Sequence, residues 1–400
     1  MTIARLMTSF AVAATVALSI PTGAGAQDRE VKLTGFGAMS GVVRSFGINS
    51  KAALEAAADE VNKAGGVKLG DGTKGKIVID YFDDRCNAEE GISVTRRMAS
   101  SPTLVGIGPT CSNVAEPLFG ILQKKVGDAG DSGLQFPIFT DVAIKGGLAK
   151  ISEWAFRNVP DEGAMYRELF TWIKKTKPDL KSVFGGVEED FAHSRATWYA
   201  VMKEVAAKEG FEVKGEAKWL LADTNFTNQA REARRAAADI VAISAHPFTT
   251  CGMLKEMVRQ GVKPKLVVGL TSSSSLETLQ GCATEADAIV IPTSFAPVTP
   301  EAQAAADRAA AFKGSLDLHS GAAYEIIAVL KDVMESEGVL AKPDTVQADR
   351  AKIRNGLAKL NETKGLMGVT KRTADREAIK PFLFVHAKGG KWEVLHNPMN

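Results

Sequence analysis

The chain has 400 residues, 45% of them hydrophobic and 24% charged, with a formal net charge of +2. That length exceeds what one hydrophobic core usually covers, so two domains are expected. The near-neutral balance argues against a nucleic-acid surface or a polybasic membrane patch, which leaves a small molecule or a protein as partner.

Residues 1–26 read as a secretory signal peptide rather than part of the fold. Arg5 supplies a thin positive region, Leu6 to Ile20 is apolar, and Ala24-Gly25-Ala26 fits a small-x-small cleavage site before Gln27. The apolar run is short for a membrane span and is followed by Pro21, Thr22 and Gly23. The expectation is a soluble protein exported to the periplasm and starting near Gln27.

From Val31 strands and helices alternate. Val31 to Leu33 opens a strand, and Asn49 or Ser50 caps a helix through Asn62 with Ala53, Leu54, Ala57, Ala58 and Val61 on one face. Ile77 to Phe82 is the next strand, Asn87 begins a helix through Met98, and Thr103 to Ile107 is the third strand. The apolar run then stops at Gly108-Pro109, and Thr110, Ser112 and Asn113 stand just before a helix that resumes at Val114. A strand, a tight turn and a helix start bring free backbone N–H groups and short hydroxyls to one point. That suits an anionic oxygen, although the same residues are ordinary helix caps. Gly127 to Gly133 is a polar surface insertion, and Pro137 to Phe139 is a fourth strand.

The rhythm begins again with a helix over Asp161 to Lys175. Strands follow at Ser182 to Val187, Glu212 to Leu220, Ile240 to Ser244, Leu266 to Leu270 and Ile289 to Ser294, with helices between them. Three helical stretches, Pro300 to Phe312, Ala322 to Glu337 and Thr345 to Leu360, precede a hairpin of Phe382 to Val385 and Trp392 to Leu395. The fold class predicted is α/β, with two doubly wound parallel-sheet lobes. The late helices return to the first lobe and the hairpin to the second, so several chain crossings form a hinge with the ligand between the lobes. The lobes are expected at residues 27–157 with 295–365, and 158–294 with 366–400.

Four cysteines in an exported chain favour disulfides over a metal site, since no C-x-x-C is present and the five histidines are dispersed. Of three possible pairings, sequence proximity favours Cys86–Cys111 and Cys251–Cys282. Gly35-Phe36-Gly37-Ala38-Met39-Ser40-Gly41 follows the first strand like a dinucleotide fingerprint, but its spacing is wrong and the acidic position falls inside a helix. It reads better as a wide ligand-facing loop, and no cofactor is expected. Thr271 to Ser275 sits past a strand end and suits either a polar pocket or a turn. Glu188-Glu189-Asp190 reads as a solvated acidic rim, Asp83-Asp84 as a turn before Cys86, and His246-Pro247-Phe248 as a ligand wall. No nucleophile, base and orienter can be named together, so an enzyme is not expected.

These residues also carry a resemblance. The chain resembles the leucine/isoleucine/valine-binding type of periplasmic solute-binding protein of ABC importers, a type I binding-protein fold. The match rests on Gly37-Ala38-Met39-Ser40-Gly41 with Phe46-Gly47, on Asp59 to Val67, on Asp83-Asp84-Arg85-Cys86, on Thr110-Cys111-Ser112, and on Asp223-Thr224-Asn225-Phe226-Thr227. It implies a Cys86–Cys111 disulfide and a ligand carboxylate held by Ser112, with Asn113 beside it at the helix start. It also implies an aromatic wall at Phe46, a third ligand-holding loop at Thr140 and Asp141, and second-lobe contacts from Phe191, His246 and Thr271. Leu270-Thr271-Ser272 stands where amino-acid binders of the family carry a Glu for the ligand ammonium, and a substitute acid would have to be Asp161 or Glu162. An unpaired buried ammonium is costly. The expected ligand is therefore a carboxylate without an ammonium, such as an aromatic or aliphatic acid, or an amide-like solute, with a branched-chain amino acid as the alternative. A monomer working with ABC permease subunits is implied, and the rival is a sensing module that reports occupancy to a receptor.

Overall fold

The computed structural model describes residues 29–398, so the expected signal peptide lies outside the described residues. Two lobes are built on two mainly parallel sheets. The first sheet runs in the order Val67–Lys68, Lys74–Asp83, Arg29–Gly37, Val105–Ile107, Ile138–Thr140, Ala155–Arg157. Only the two-residue edge strand is antiparallel. Strands Val105–Ile107, Ile138–Thr140 and Ala155–Arg157 are short and wholly buried, as expected where helices cover both faces of a parallel sheet. Strand Arg29–Gly37 lies between Lys74–Asp83 and Val105–Ile107, so its carboxyl end is where the winding reverses and where α/β sheets bind ligands.

The second sheet runs Lys391–His396, Leu383–Lys388, Ile289–Thr293, Leu266–Gly269, Ile240–Ser244, Ser182–Glu188, Glu212–Trp219. The C-terminal hairpin adds to it antiparallel at Ile289–Thr293. Helix Leu318–Ser336 packs on helix Arg44–Lys63 in the first lobe, where Leu54, Ala57, Ile326 and Leu330 share one core cluster. The chain thus passes from the first sheet to the second, back to the first lobe's helices, and again to the second sheet.

The glycines of Gly35-Phe36-Gly37 belong to the strand, not to a loop after it. A Cβ on Gly35 would lie 2.4 Å from a Tyr81 ring carbon, and one on Gly37 would lie 2.2 Å from Thr110 Cγ2. Close packing, not a phosphate cradle, requires them. The first helix starts at Arg44, so Asn49 and Ser50 are not caps. They are buried in the helix and reach out of it: Asn49 Oδ1 accepts from Ser315 N–H at 3.0 Å, and Ser50 donates to Asp141.

A third, three-stranded antiparallel sheet, Glu362–Gly365, Gly368–Arg372 and Ala378–Ile379, was not anticipated. Its strands are very short, and polar groups rather than an apolar face hold it over the crossover at residues 157–160. Buried Arg157 pairs with Glu377, Lys380 pairs with Glu325, and Arg372 donates to Asn158 Oδ1 at 2.5 Å. Such a set has no hydrophobic periodicity to read. Both expected disulfides are present, Cys86–Cys111 and Cys251–Cys282.

Candidate functional site

The first-lobe half of the site grows from the turn after Val105–Ile107. Cys111, tied to Cys86, is the N-cap of helix Ser112–Phe119 and makes no side-chain cap bond. Neither Ser112 nor Asn113 caps this helix, which corrects the simpler reading of the sequence. Ser112 is its first residue and is 2% exposed. Its Oγ accepts from the Lys145 N–H at 3.2 Å, and among the described residues its own O–H has no acceptor. The Val114 N–H bonds the Cys111 carbonyl at 3.0 Å, which leaves the N–H groups of Ser112 and Asn113 at the positive end of the helix dipole. The turn therefore offers a donor hydroxyl beside backbone donors, fixed from behind by a disulfide.

The neighbouring residues are arranged differently. Thr140 donates its hydroxyl to Gly108 O at 2.9 Å, and so braces the turn from below. Asp141 is fully buried, accepts from Ser50, and among the described residues leaves Oδ1 without a partner. Burial pushes the Asp141 carboxyl up to about 7 against the bond from Ser50. Asp84 is likewise pushed up to about 7, by burial first and then by the nearby charges of Asp83 and Asp141. Asn113 faces the other lobe: its Oδ1 accepts from Ala192 N–H at 2.6 Å, and its Nδ2 donates to Asp190 O at 3.4 Å.

The second-lobe half is a packed set of acid–imidazole pairs. Glu162, just inside the N-terminus of helix Glu162–Thr176, lies 3.0 Å from His193 Nε2 and accepts from Thr197, and from Thr271 at 2.7 Å. Glu188, at the end of strand Ser182–Glu188, lies 2.6 Å from His246 Nδ1 and accepts from Thr249 at 2.6 Å and Ser194 at 3.1 Å. Burial acts to raise both carboxyls, but the facing His193 or His246 and the converging donors outweigh it and hold each below its usual range. Ser272 joins this set to the other lobe, 3.3 Å from His193 Nδ1 and 2.8 Å from His319 Nε2.

Aromatic rings close the arrangement. Phe46 meets His246 edge-on at 5.7 Å and His319 at 5.4 Å between centroids, and Phe191 lies 4.2 Å from His246. Phe191 comes from the second lobe yet packs in a first-lobe cluster with Phe46, Cys111 and Val142. The lobes are thus in contact. Beside these rings an interlobe cleft of about 720 Å³ is lined by Phe46, Asn49, Phe226, His246, Lys255 and Glu277, among others. Of the residues expected to contact ligand, Phe46 and His246 line this cleft; Ser112, Asn113, Thr140, Asp141, Phe191 and Thr271 do not.

Glu188 is not the solvated rim expected of Glu188-Glu189-Asp190: it is wholly buried, while Asp190 is exposed. His193 and His319 were missed as well, and Ser272 was read only as part of the hydroxyl run Thr271 to Ser275. The available signal was an acid and a histidine recurring past neighbouring strand ends, Glu188 with His193 and then His246. Among the described residues no group of three or more His, Cys, Asp or Glu side chains could hold a metal ion.

The comparisons with known proteins decide the family. A profile described as periplasmic binding protein matches residues 30–391. The chain belongs to the periplasmic binding protein family. These are binding proteins, not enzymes. A Leu/Ile/Val-binding protein of Citrobacter freundii is 32% identical over 114 residues, 28% of this chain and 29% of that protein. The alignment therefore spans under a third of that relative's length. An isoleucine-bound branched-chain amino acid transporter substrate-binding protein from Streptococcus pneumoniae superposes with a TM-score of 0.76 at 19% identity, covering 92% of this chain and all of that one. A benzoate-bound ABC-transporter solute-binding protein from R. palustris gives 0.76 at 18% identity, covering 92% of this chain and 96% of that one. At such identities the likeness establishes the fold.

Proposed function

We propose that this periplasmic binding protein takes a small carboxylate without an ammonium, an aromatic or aliphatic acid, between its lobes, and delivers it in the periplasm to an ABC permease. The observation that carries the carboxylate is Ser112, a buried hydroxyl with a proton to donate at a helix N-terminus. The acid–imidazole set argues against the ammonium. Glu162 already accepts from His193, Thr197 and Thr271, and Glu188 from His246, Thr249 and Ser194. An ammonium would have to displace a bonded partner from one of them, at the cost of an unpaired buried donor. A benzoate complex among proteins of the same fold supports the reading.

In this reading the solute docks on the Ser112 turn, and closure of residues 158–294 with 366–400 over residues 27–157 with 295–365 brings Phe191 and His246 onto it. The solute drives closure only through contacts that exist in the closed form. The closed monomer is what the permease recognises.

A thermal-shift screen of the mature protein with benzoate, short fatty acids, amides and leucine tests this. A ligand at 100 times its dissociation constant stabilises by about 2.7 kcal/mol. Shifts by carboxylates that lack an ammonium support the proposal, and shifts by branched-chain amino acids alone overturn it.

A further inference from the structure

Among the described residues, one buried ring nitrogen of the site has no partner. His319 is 2% exposed, its Nε2 lies 2.8 Å from Ser272 Oγ, and its Nδ1 has no hydrogen-bond partner. An orphaned buried polar atom is rare enough to need an explanation. Here it belongs to a ring packed edge-on against Phe46, the aromatic that lines the interlobe cleft.

The atom also stands at the end of a directional chain. Glu162 faces His193 Nε2 with both oxygens, at 3.0 and 3.1 Å, which fixes a proton on that nitrogen. His193 Nδ1 then meets Ser272 Oγ, and Ser272 Oγ meets His319 Nε2. A serine hydroxyl has one proton and two lone pairs, and with these two rings as its partners Ser272 satisfies that proton by donating to one ring and accepting from the other. If the Glu162–His193 pair holds one proton, His193 Nδ1 accepts from Ser272, Ser272 accepts from His319 Nε2–H, and His319 Nδ1 is left as an acceptor. If the pair holds two, every bond reverses and His319 Nδ1 carries a hydrogen to donate.

We propose that His319 Nδ1 is a solute-contacting atom whose hydrogen-bonding sense is set by the proton on the Glu162–His193 pair, and that the solute is a hydroxyl-bearing carboxylate. A hydroxyl can donate or accept, so it satisfies the atom in both states, whereas an ether or carbonyl satisfies it only in one. The inference rests on the carboxylate reading above. His319 itself stays neutral, because burial and then the charges of His193 and His246 hold it well below its ordinary value. The titratable groups around it are the Glu162–His193 pair, the Glu188–His246 pair, and Asp317, which caps its helix and faces Glu277. Only His193 is joined to it through a hydroxyl that can reverse.

The probes are 3- and 4-hydroxybenzoate, the corresponding methoxybenzoates, and benzoate, titrated calorimetrically at pH ~5 and ~8, across the range in which imidazoles change charge. In the wild type the hydroxy-to-methoxy affinity ratio should rise by about tenfold from the lower to the higher pH, the worth of one hydrogen bond. In Ser272→Ala, which cuts the chain, and in His319→Phe, which keeps a ring without the nitrogen, the ratio should stop depending on pH. A ratio that is independent of pH in the wild type, or equally dependent in both variants, overturns the inference while leaving the carboxylate reading standing. Failure of every probe to bind the wild type overturns the inference, and the carboxylate reading falls with it only if short fatty acids fail to bind as well. Should the variants not fold, ¹⁵N-histidine spectra of the wild type provide a separate test: hydroxybenzoate should move the His319 Nδ1 signal and benzoate should not, and equal responses would contradict the proposal.

Discussion

The two halves of the site bury carboxyl groups by opposite means. On the first lobe, Asp84 and Asp141 lie in the core, each with an oxygen that has no partner among the described residues, and burial pushes each up to about 7. On the second lobe, Glu162 and Glu188 are as deeply buried but face imidazoles and hydroxyls, and are held below the usual carboxylate range. At neutral pH the first-lobe acids sit near half protonation, whereas the second-lobe acids are kept ionised by their partners. In the proposed reading a ligand carboxylate meets its complement at the Ser112 turn, and not at acids whose donors are already committed.

The contrast breaks most visibly at Glu188. Glu188→Ala removes the shared acceptor of buried His246, Thr249 and Ser194 and should lower stability by about 3–5 kcal/mol, measured by urea unfolding. A loss below 1 kcal/mol would mean that these groups find other partners. The disulfides come next. Replacing either pair by alanines should cost about 3 kcal/mol. Only loss of Cys86–Cys111, which borders Ser112, should also weaken solute binding by more than the unfolding accounts for.

A pH profile sharpens the comparison. Asp141 titrates near 7 when folded and near 3.9 when unfolded, so its contribution is fully present below pH ~4 and is lost as pH rises through about 7. The depressed Glu162 and Glu188 act in the opposite sense: their contribution is present above pH ~4.3 and is lost as pH falls through their folded values. Asp141→Asn should remove roughly 4 kcal/mol of the decline between pH 4 and 7, the worth of about three pK units. It should leave the acid limb alone. A variant profile that overlays the wild type would contradict the first-lobe account. The smallest effect is expected at Asn113, whose amide joins the two halves. Asn113→Ala should reduce the closed population by about 1 kcal/mol, seen as a larger radius of gyration in solution scattering without ligand.

How much of this was legible followed how local the signal was. The alternating strands, most helices and both cysteine pairings could be read because periodicity and sequence spacing report them directly. Ser112 was legible as a helix start, Phe46 through resemblance, and His246 from its place past the end of a strand. The third sheet was not, since Arg157 with Glu377 and Lys380 with Glu325 are contacts between distant segments in strands too short for a pattern. His319 was hidden for the same reason: it belongs to a helix that packs on the first lobe, and its partner Ser272 lies 47 residues away. Glu188 misled because an acidic triplet looks solvated until His246 is seen beside it.

The central claim is that a carboxylate without an ammonium is held at the Ser112 turn. The most direct measurement is calorimetric titration of wild type and Ser112→Ala with whichever such carboxylate gives the largest thermal shift. The account predicts roughly 10- to 100-fold weaker binding in the variant, the worth of one hydrogen bond to a charged group, with an unchanged melting temperature in the absence of ligand. Equal affinity in the two proteins would contradict it.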